Sequence, residues 1–157
     1  MDRERIKLDR MRYVKDSAPS NLAILAVVFD ILYFVLIYKI NNEYFYNFKI
    51  GVSVVTNLLV MLFGFWCSIE VKNYHGQFGY LMIFLGIVQI VRIFVYPMGA
   101  HNAVVTVGEQ AVQVMTNTQF ILSIAYLVVS AACFVCGGLL SMKNSKILQN
   151  HLNSLEK

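Results

Sequence analysis

Four long apolar stretches limit what this chain can fold into. They cover residues 21–40, 48–69, 78–98 and 119–142, and polar residues, glycine or proline stand at their borders. A helix that crosses the hydrocarbon core of a bilayer, roughly 30 Å thick, needs about 20 mostly apolar residues. Because short connections join antiparallel neighbours, we predict an all-α polytopic membrane protein, built as an antiparallel four-transmembrane-helix bundle.

The composition agrees with a chain whose surface faces lipid. Hydrophobic residues make up 58% of the sequence and charged residues 14%, whereas about 25% of the residues of a soluble domain are charged. We therefore expect the lipid bilayer as the main surrounding partner and the plasma membrane as the location, which is the inner membrane if the source is bacterial. The net charge of +4 does not indicate a nucleic-acid partner, because the basic residues near the N-terminus alternate with acidic ones.

The positions of lysine and arginine predict the orientation. Short loops that are rich in these residues stay on the cytoplasmic side. A cytoplasmic N-terminus places ten of the thirteen basic residues inside and leaves only Lys39 and Lys49 outside, with Arg92 within the third span. We predict that both termini are cytoplasmic.

The order of segments predicts three regions. Residues 1–18 form an amphiphilic leader helix, residues 19–142 the transmembrane domain, and residues 143–157 a cytoplasmic tail. The leader is either an interfacial helix on the inner leaflet or a docking helix for a cytoplasmic partner. In the longer outer connection, residues 99–118, a loose alternation of apolar residues permits a small hairpin or a short surface helix.

Two charged residues lie inside the apolar stretches. A carboxylate such as Asp30 at the centre of a span costs about 2.5–3.5 kcal/mol on the insertion scale, so we expect it to face protein. At 1.5 Å per residue, Asp30 and Gln89 lie at nearly the same depth, with Arg92 one turn further out. We expect an intramembrane polar cluster composed of Asp30, Gln89, Arg92, Tyr33 and Tyr96. It is a pair that fixes helix register, a proton or ion relay, or a contact with a partner protein.

Small residues at four-residue spacing predict faces where helices approach closely. The candidate packing residues are Gly64, Ser68, Gly86, Cys133, Gly137 and Ser141. Cys133 and Cys136 form a C-x-x-C, which invites comparison with four-helix thiol oxidoreductases of the vitamin K epoxide reductase type. Those enzymes use a second cysteine pair in a large loop, whereas the remaining cysteine here, Cys67, lies within the second span.

No motif in the sequence predicts a catalytic or metal site. The three histidines stand in different connections, and no phosphate-binding or nucleophile motif is present. We expect no enzyme activity and no cofactor. The favoured hypothesis is a small non-enzymatic subunit or scaffold in a larger membrane assembly, with another membrane protein or a second copy of the chain as partner. The alternatives are a homo-oligomeric channel or small ion- or proton-coupled transporter that uses the Asp30–Arg92 pair, and a membrane enzyme.

Overall fold

The computed structural model describes residues 6, 9–11, 13–40, 48–107 and 110–155. Within these residues the chain forms five helices and one two-stranded hairpin. In chain order they are α1 Ser17–Tyr38, α2 Phe48–Val71, α3 Gly76–Val95, α4 Pro97–His101, β1 Val104–Val107, β2 Gln110–Gln113 and α5 Asn117–Leu155. Four of them, α1, α2, α3 and α5, are long and apolar enough to span a membrane. The helical fold with four such helices is therefore confirmed.

Two helix ends differ from the predicted spans. The third span was expected to continue to residue 98, but α3 ends at Val95 and the short helix α4 begins at Pro97, because proline has no N–H to donate to the preceding turn. The fourth span was expected to end at Met142, but α5 continues to Leu155. Residues 143–155 contain neither glycine nor proline to end the helix. Most of the predicted tail is thus helical, and residues 156–157 lie outside the described part.

The four long helices run antiparallel to their chain neighbours. We call the end of the bundle that carries the β-hairpin the hairpin end, and the opposite end, where α1 begins and α5 finishes, the terminal end. At the terminal end the hydroxyls of Ser20 in α1 and Ser68 in α2 share a hydrogen bond of 2.9 Å. Helix α5 packs along both α1 and α3, α2 packs along α1, and the contact between α2 and α3 is the thinnest of the four.

The closest approach between helices is the contact of α3 with α5. A Cβ atom added at Gly138 would lie 2.6 Å from the carbonyl oxygen of Gly79, and one added at Gly79 would lie 2.8 Å from the carbonyl oxygen of Gly138. Real Cβ atoms do not come this near to a backbone atom. Glycine is therefore required at both positions for the two backbones to touch.

The apolar core consists of two clusters at different heights in the bundle. The cluster nearer the terminal end contains buried side chains from all four long helices, among them Val27, Val60, Met82 and Phe134. The cluster nearer the hairpin end includes Ile37, Tyr96, Met115 and Leu127. The polar residues described below lie between these two clusters.

The segment between α4 and α5 forms the small hairpin that was one of the two predicted possibilities. Strands β1 and β2 pair antiparallel, with Val104 opposite Gln113 and Val107 opposite Gln110. The backbone N–H of Val114 donates to the carbonyl of Ala103. The hairpin is thereby closed at the point where it meets the bundle.

Contacts at the terminal end join the helix α5 to the segments around it. Asn144 donates to the Asp16 carboxylate (2.6 Å), and the hydroxyl of Ser145 donates to the carbonyl of Tyr74 (2.8 Å). In the leader, Asp9 is 2.8 Å from Nε2 of His151. The described part of the leader therefore contacts the end of α5. Residues 1–5, 7, 8 and 12, on which much of the leader prediction rests, lie outside the described residues, as does the connection 41–47.

The turn between α2 and α3 is built around Tyr74. Its backbone has a φ of 58°, in the left-handed region that side chains rarely adopt. Its hydroxyl donates to the carbonyl of Val14 (3.2 Å). Burial raises the pKa of this hydroxyl, and the nearby Asp16 carboxylate adds to the shift. The hydroxyl consequently stays protonated and remains a donor well into the alkaline range.

Candidate functional site

Asp30 and Arg92 meet inside the bundle. Asp30 in α1 is fully buried and Arg92 in α3 is 6% exposed. Arg92 Nη1 lies 2.6 Å from Asp30 Oδ1, so the two side chains form a buried ion pair. Arg92 starts one turn closer to the hairpin end, and its long side chain covers that distance. Removing two charges from solvent is costly, so a pair of this kind needs further hydrogen bonds.

Gln89 supplies some of these hydrogen bonds. Its amide nitrogen Nε2 donates to Asp30 Oδ1 (2.9 Å), and its oxygen Oε1 accepts from Arg92 Nη1 (2.6 Å). Gln89 therefore bridges the acid and the base through both ends of its amide. The expected residues Asp30, Gln89 and Arg92 are brought together in one place.

Two further residues connect the remaining helices to this pair, and the sequence analysis did not single them out. Asn57 in α2 accepts a hydrogen bond from Arg92 Nη2 through its Oδ1. Ser130 in α5 accepts from Gln89 Nε2 and donates to the backbone carbonyl of Ala26, both at 2.9 Å. Isolated asparagine and serine residues in apolar stretches gave no signal beyond ordinary polarity.

The two tyrosines of the predicted cluster lie on the hairpin side of the pair. The guanidinium carbon of Arg92 lies 4.8 Å from the centre of the Tyr33 ring, which places the cation over its negative face. Tyr96, four residues after Arg92 on α3, is 4% exposed and belongs to the apolar cluster at the hairpin end.

We call the resulting set the polar layer: Asp30, Tyr33, Asn57, Gln89, Arg92 and Ser130. All four long helices contribute to it. Three of its buried atoms have no hydrogen-bond partner among the described residues, namely Asp30 Oδ2, Tyr33 Oη and Asn57 Nδ2. In bundles in general, nearly all buried polar atoms are paired. The layer thus holds the helices together while keeping unused hydrogen-bonding capacity.

A cleft with a volume of about 300 Å³ opens sideways between α2 and α3. We call it the lateral cleft. Its walls are Val52, Ser53 and Thr56 of α2 and apolar residues of α3 such as Phe84, Ile87 and Val91, while Tyr33, Arg92 and Tyr96 form its floor. The lateral cleft therefore reaches the polar layer from the lipid-facing side of the bundle.

The predicted packing residues lie at contacts between helices. A Cβ atom at Gly64 would be 2.5 Å from Val27, one at Gly86 2.7 Å from Val135, and one at Gly137 2.6 Å from Met82. Ser68 bonds Ser20, Ser141 is 1% exposed, and Cys133 packs against the cluster nearer the terminal end. All three cysteines are free thiols, and Cys136 is exposed.

Comparisons with known proteins do not assign a family. The chain matches no protein-family model, no curated protein and no solved structure. Among the described residues, no group of three or more histidine, cysteine, aspartate or glutamate side chains is placed to hold a metal ion. The geometry of the polar layer and of the lateral cleft is consequently the basis for a functional proposal.

Proposed function

We propose that this chain is a multi-pass protein of the plasma membrane, with both termini in the cytoplasm, that serves as a small non-enzymatic subunit or scaffold of a membrane protein assembly. The support for insertion is the apolar surface. Large residues such as Leu62, Phe84, Phe94 and Ile121 are more than half exposed, and soluble proteins rarely carry apolar surface of this extent.

One observation carries the proposed role. The polar side chains within the spans direct their hydrogen bonds at each other across four helices, as in the chain of contacts from Asn57 through Arg92 and Gln89 to Ser130. Such a network fixes how the helices sit against each other. It supports a rigid body that presents a defined apolar surface to other membrane proteins.

Native mass spectrometry after extraction into polymer-bounded lipid discs tests this proposal. We expect the chain to be released together with another membrane protein, or with further copies of itself, at a fixed ratio. A matched extraction of the Asn57→Ala variant, which weakens the network from within, should reduce the amount of complex. A chain recovered as a lone monomer under every gentle condition contradicts the proposal.

A specific observation favours a second candidate, a homo-oligomeric channel or small transporter. Asp30 Oδ2 is buried without a partner, although its sister oxygen accepts two hydrogen bonds, so the carboxylate retains an unused site for a proton or an ion. Proton or cation flux into liposomes that contain the protein tests this candidate. Asp30→Asn should abolish the flux while the control Asp9→Asn preserves it, and equal flux in both variants excludes the role.

A further inference from the structure

The lateral cleft has the properties of a binding site as well as those of a gap between helices. Its walls are apolar, but its floor contains Arg92 and Tyr33, which are 6% and 1% exposed. Both polar side chains belong to the layer that the rest of the bundle builds. A cleft of about 300 Å³ is at the lower end of the range for sites that bind small molecules.

The Tyr33 hydroxyl gives the cleft a chemical preference. It is buried, lines the cleft and has no hydrogen-bond partner among the described residues. A buried hydroxyl without a partner costs roughly 1–3 kcal/mol, so a ligand that brings an acceptor oxygen to it gains more than a plain hydrocarbon does. Arg92, held over the Tyr33 ring at 4.8 Å, favours an oxygen that carries negative charge.

The shape of the cleft indicates an extended chain. Along α3 the lining runs from Phe84 to Tyr96, and at 1.5 Å per residue Phe84 lies about 12 Å from Arg92 along the helix axis. Arg92 is near the hairpin end of α3, whereas Phe84 is near the middle of the helix. A molecule with its head at Arg92 and its tail at Phe84 would therefore lie parallel to the helices, as the chains of a lipid do.

Size separates this occupant from a helix of a partner protein. A helix with its side chains is about 10–12 Å across, so a single turn fills roughly 400–600 Å³. That exceeds the volume of the cleft, about 300 Å³. A single hydrocarbon chain fits.

We propose that the lateral cleft binds one acyl chain of a lipid, with a carboxyl or ester oxygen at its head that accepts a hydrogen bond from Tyr33 beside Arg92. The site goes beyond the proposed role as a subunit. It rests on insertion of the bundle into a bilayer, and it does not depend on a partner protein.

Photolabelling of the purified full-length chain tests the site. The probe is palmitic acid with a diazirine in mid-chain, and peptide mass spectrometry locates the adducts. We expect saturable labelling on α3 between Phe84 and Val91 and on α2 near Thr56, with unlabelled palmitic acid as an effective competitor. Labelling that does not saturate and spreads over all lipid-facing residues overturns the proposal, and so do protein–protein crosslinks that occupy the cleft.

Two variants and a control sharpen the test. Val91→Trp fills the cleft and should reduce labelling at least tenfold, whereas Val128→Trp, on the similarly exposed face of α5 away from the cleft, should leave it unchanged. Helical circular dichroism and elution volume establish that both variants fold. If Val91→Trp does not fold, competition in the unchanged protein decides: palmitic acid should displace the probe and an equal concentration of hexadecane should not.

The head group has its own test. Tyr33→Phe removes a hydroxyl that bonds nothing else among the described residues, so the fold should persist. We expect the affinity for palmitic acid to fall about three- to tenfold, as for the loss of one hydrogen bond. Unchanged affinity in Tyr33→Phe, or equal competition by hexadecane, overturns the assigned head-group contact. Neither result depends on whether a partner protein co-purifies, so failure of this site and failure of the proposed function are distinguishable.

Discussion

Helix α3 has two long neighbours and meets them in opposite ways. Towards α5 its backbone comes into contact through Gly79 and Gly138, and no side chain fits between the helices. Towards α2 it leaves the lateral cleft of about 300 Å³. That second contact depends mainly on the hydrogen bond from Arg92 to Asn57 and on the edge contact of Trp66 with Phe78, whose ring centres are 5.5 Å apart.

This difference indicates a division of labour within one helix. The α3–α5 contact determines how the bundle packs, because no other arrangement brings two glycines into register. The α2–α3 contact can change its filling without changing the backbone. Substitutions on α3 should therefore have effects that depend strongly on the neighbour they face, and four variants measure the difference.

The largest effect is expected for Arg92→Met, because Arg92 takes part in both contacts. Its loss leaves the Asp30 carboxylate buried without its cation and leaves Asn57 Oδ1 without its donor. We expect the free energy of unfolding to fall by about 3–5 kcal/mol, measured by titration with a denaturing detergent.

The double variant Asp30→Asn, Arg92→Met is the matched control for this prediction. It removes the buried charge together with its partner, so it should be less destabilised than Arg92→Met alone. If the double variant is less stable than the single one by the full effect of Asp30→Asn, the two side chains are not coupled.

The second effect concerns the contact of α3 with α5. Gly138→Ala forces a methyl group against the backbone oxygen of Gly79, which cannot move aside as a flexible side chain would. We expect a loss of about 1–3 kcal/mol in the free energy of unfolding. Gly51→Ala is the matched control, since an added Cβ there meets nothing within 4 Å, and alanine is the better helix former by about 1 kcal/mol. A stable Gly138→Ala variant would mean that α3 and α5 are further apart than described.

The third effect concerns the contact of α3 with α2. Asn57→Ala removes the acceptor for Arg92 across the cleft, and interhelical hydrogen bonds in membranes contribute about 0.6–1.7 kcal/mol. Thr56→Ala is the control, because the Thr56 hydroxyl bonds the carbonyl of Val52 in its own helix. Thermal unfolding followed by circular dichroism should rank Asn57→Ala below Thr56→Ala. Equal melting temperatures contradict the role of Asn57 as the bridge.

The part of this architecture that depends on helical periodicity was predictable from the sequence. Four apolar runs predicted the four long helices, and depth along each run placed Asp30 and Gln89 at one height with Arg92 a turn away. A charged residue in an apolar run stands out because its burial is costly. The position of its partner along the next helix then follows from a rise of 1.5 Å per residue.

The part that depends on how helices are rotated against each other was not predictable. Gly137 was chosen by its spacing from Cys133, yet Gly138, one residue and about 100° further around the helix, touches Gly79. Ser130 was not singled out because its role depends on α5 lying beside Ala26 of α1, far away in the sequence. The lateral cleft had no signature either, since an apolar residue that lines a cleft has the same composition as one that faces lipid.

The smallest effect is expected where the comparison predicts tolerance. Val91 is 53% exposed and lines the lateral cleft, so Val91→Trp adds volume where volume is free, and the unfolding free energy should change by no more than about 0.5 kcal/mol. The same measurement on Gly138→Ala, which adds a single methyl group on the other side of α3, should give a several times larger loss. If the tryptophan destabilises the bundle as much as that methyl group does, the two sides of α3 are packed alike, and the space between α2 and α3 is closed in the protein. If it is tolerated, the larger side chain occupies the space that we assign to an acyl chain, and stability and labelling respond to it separately.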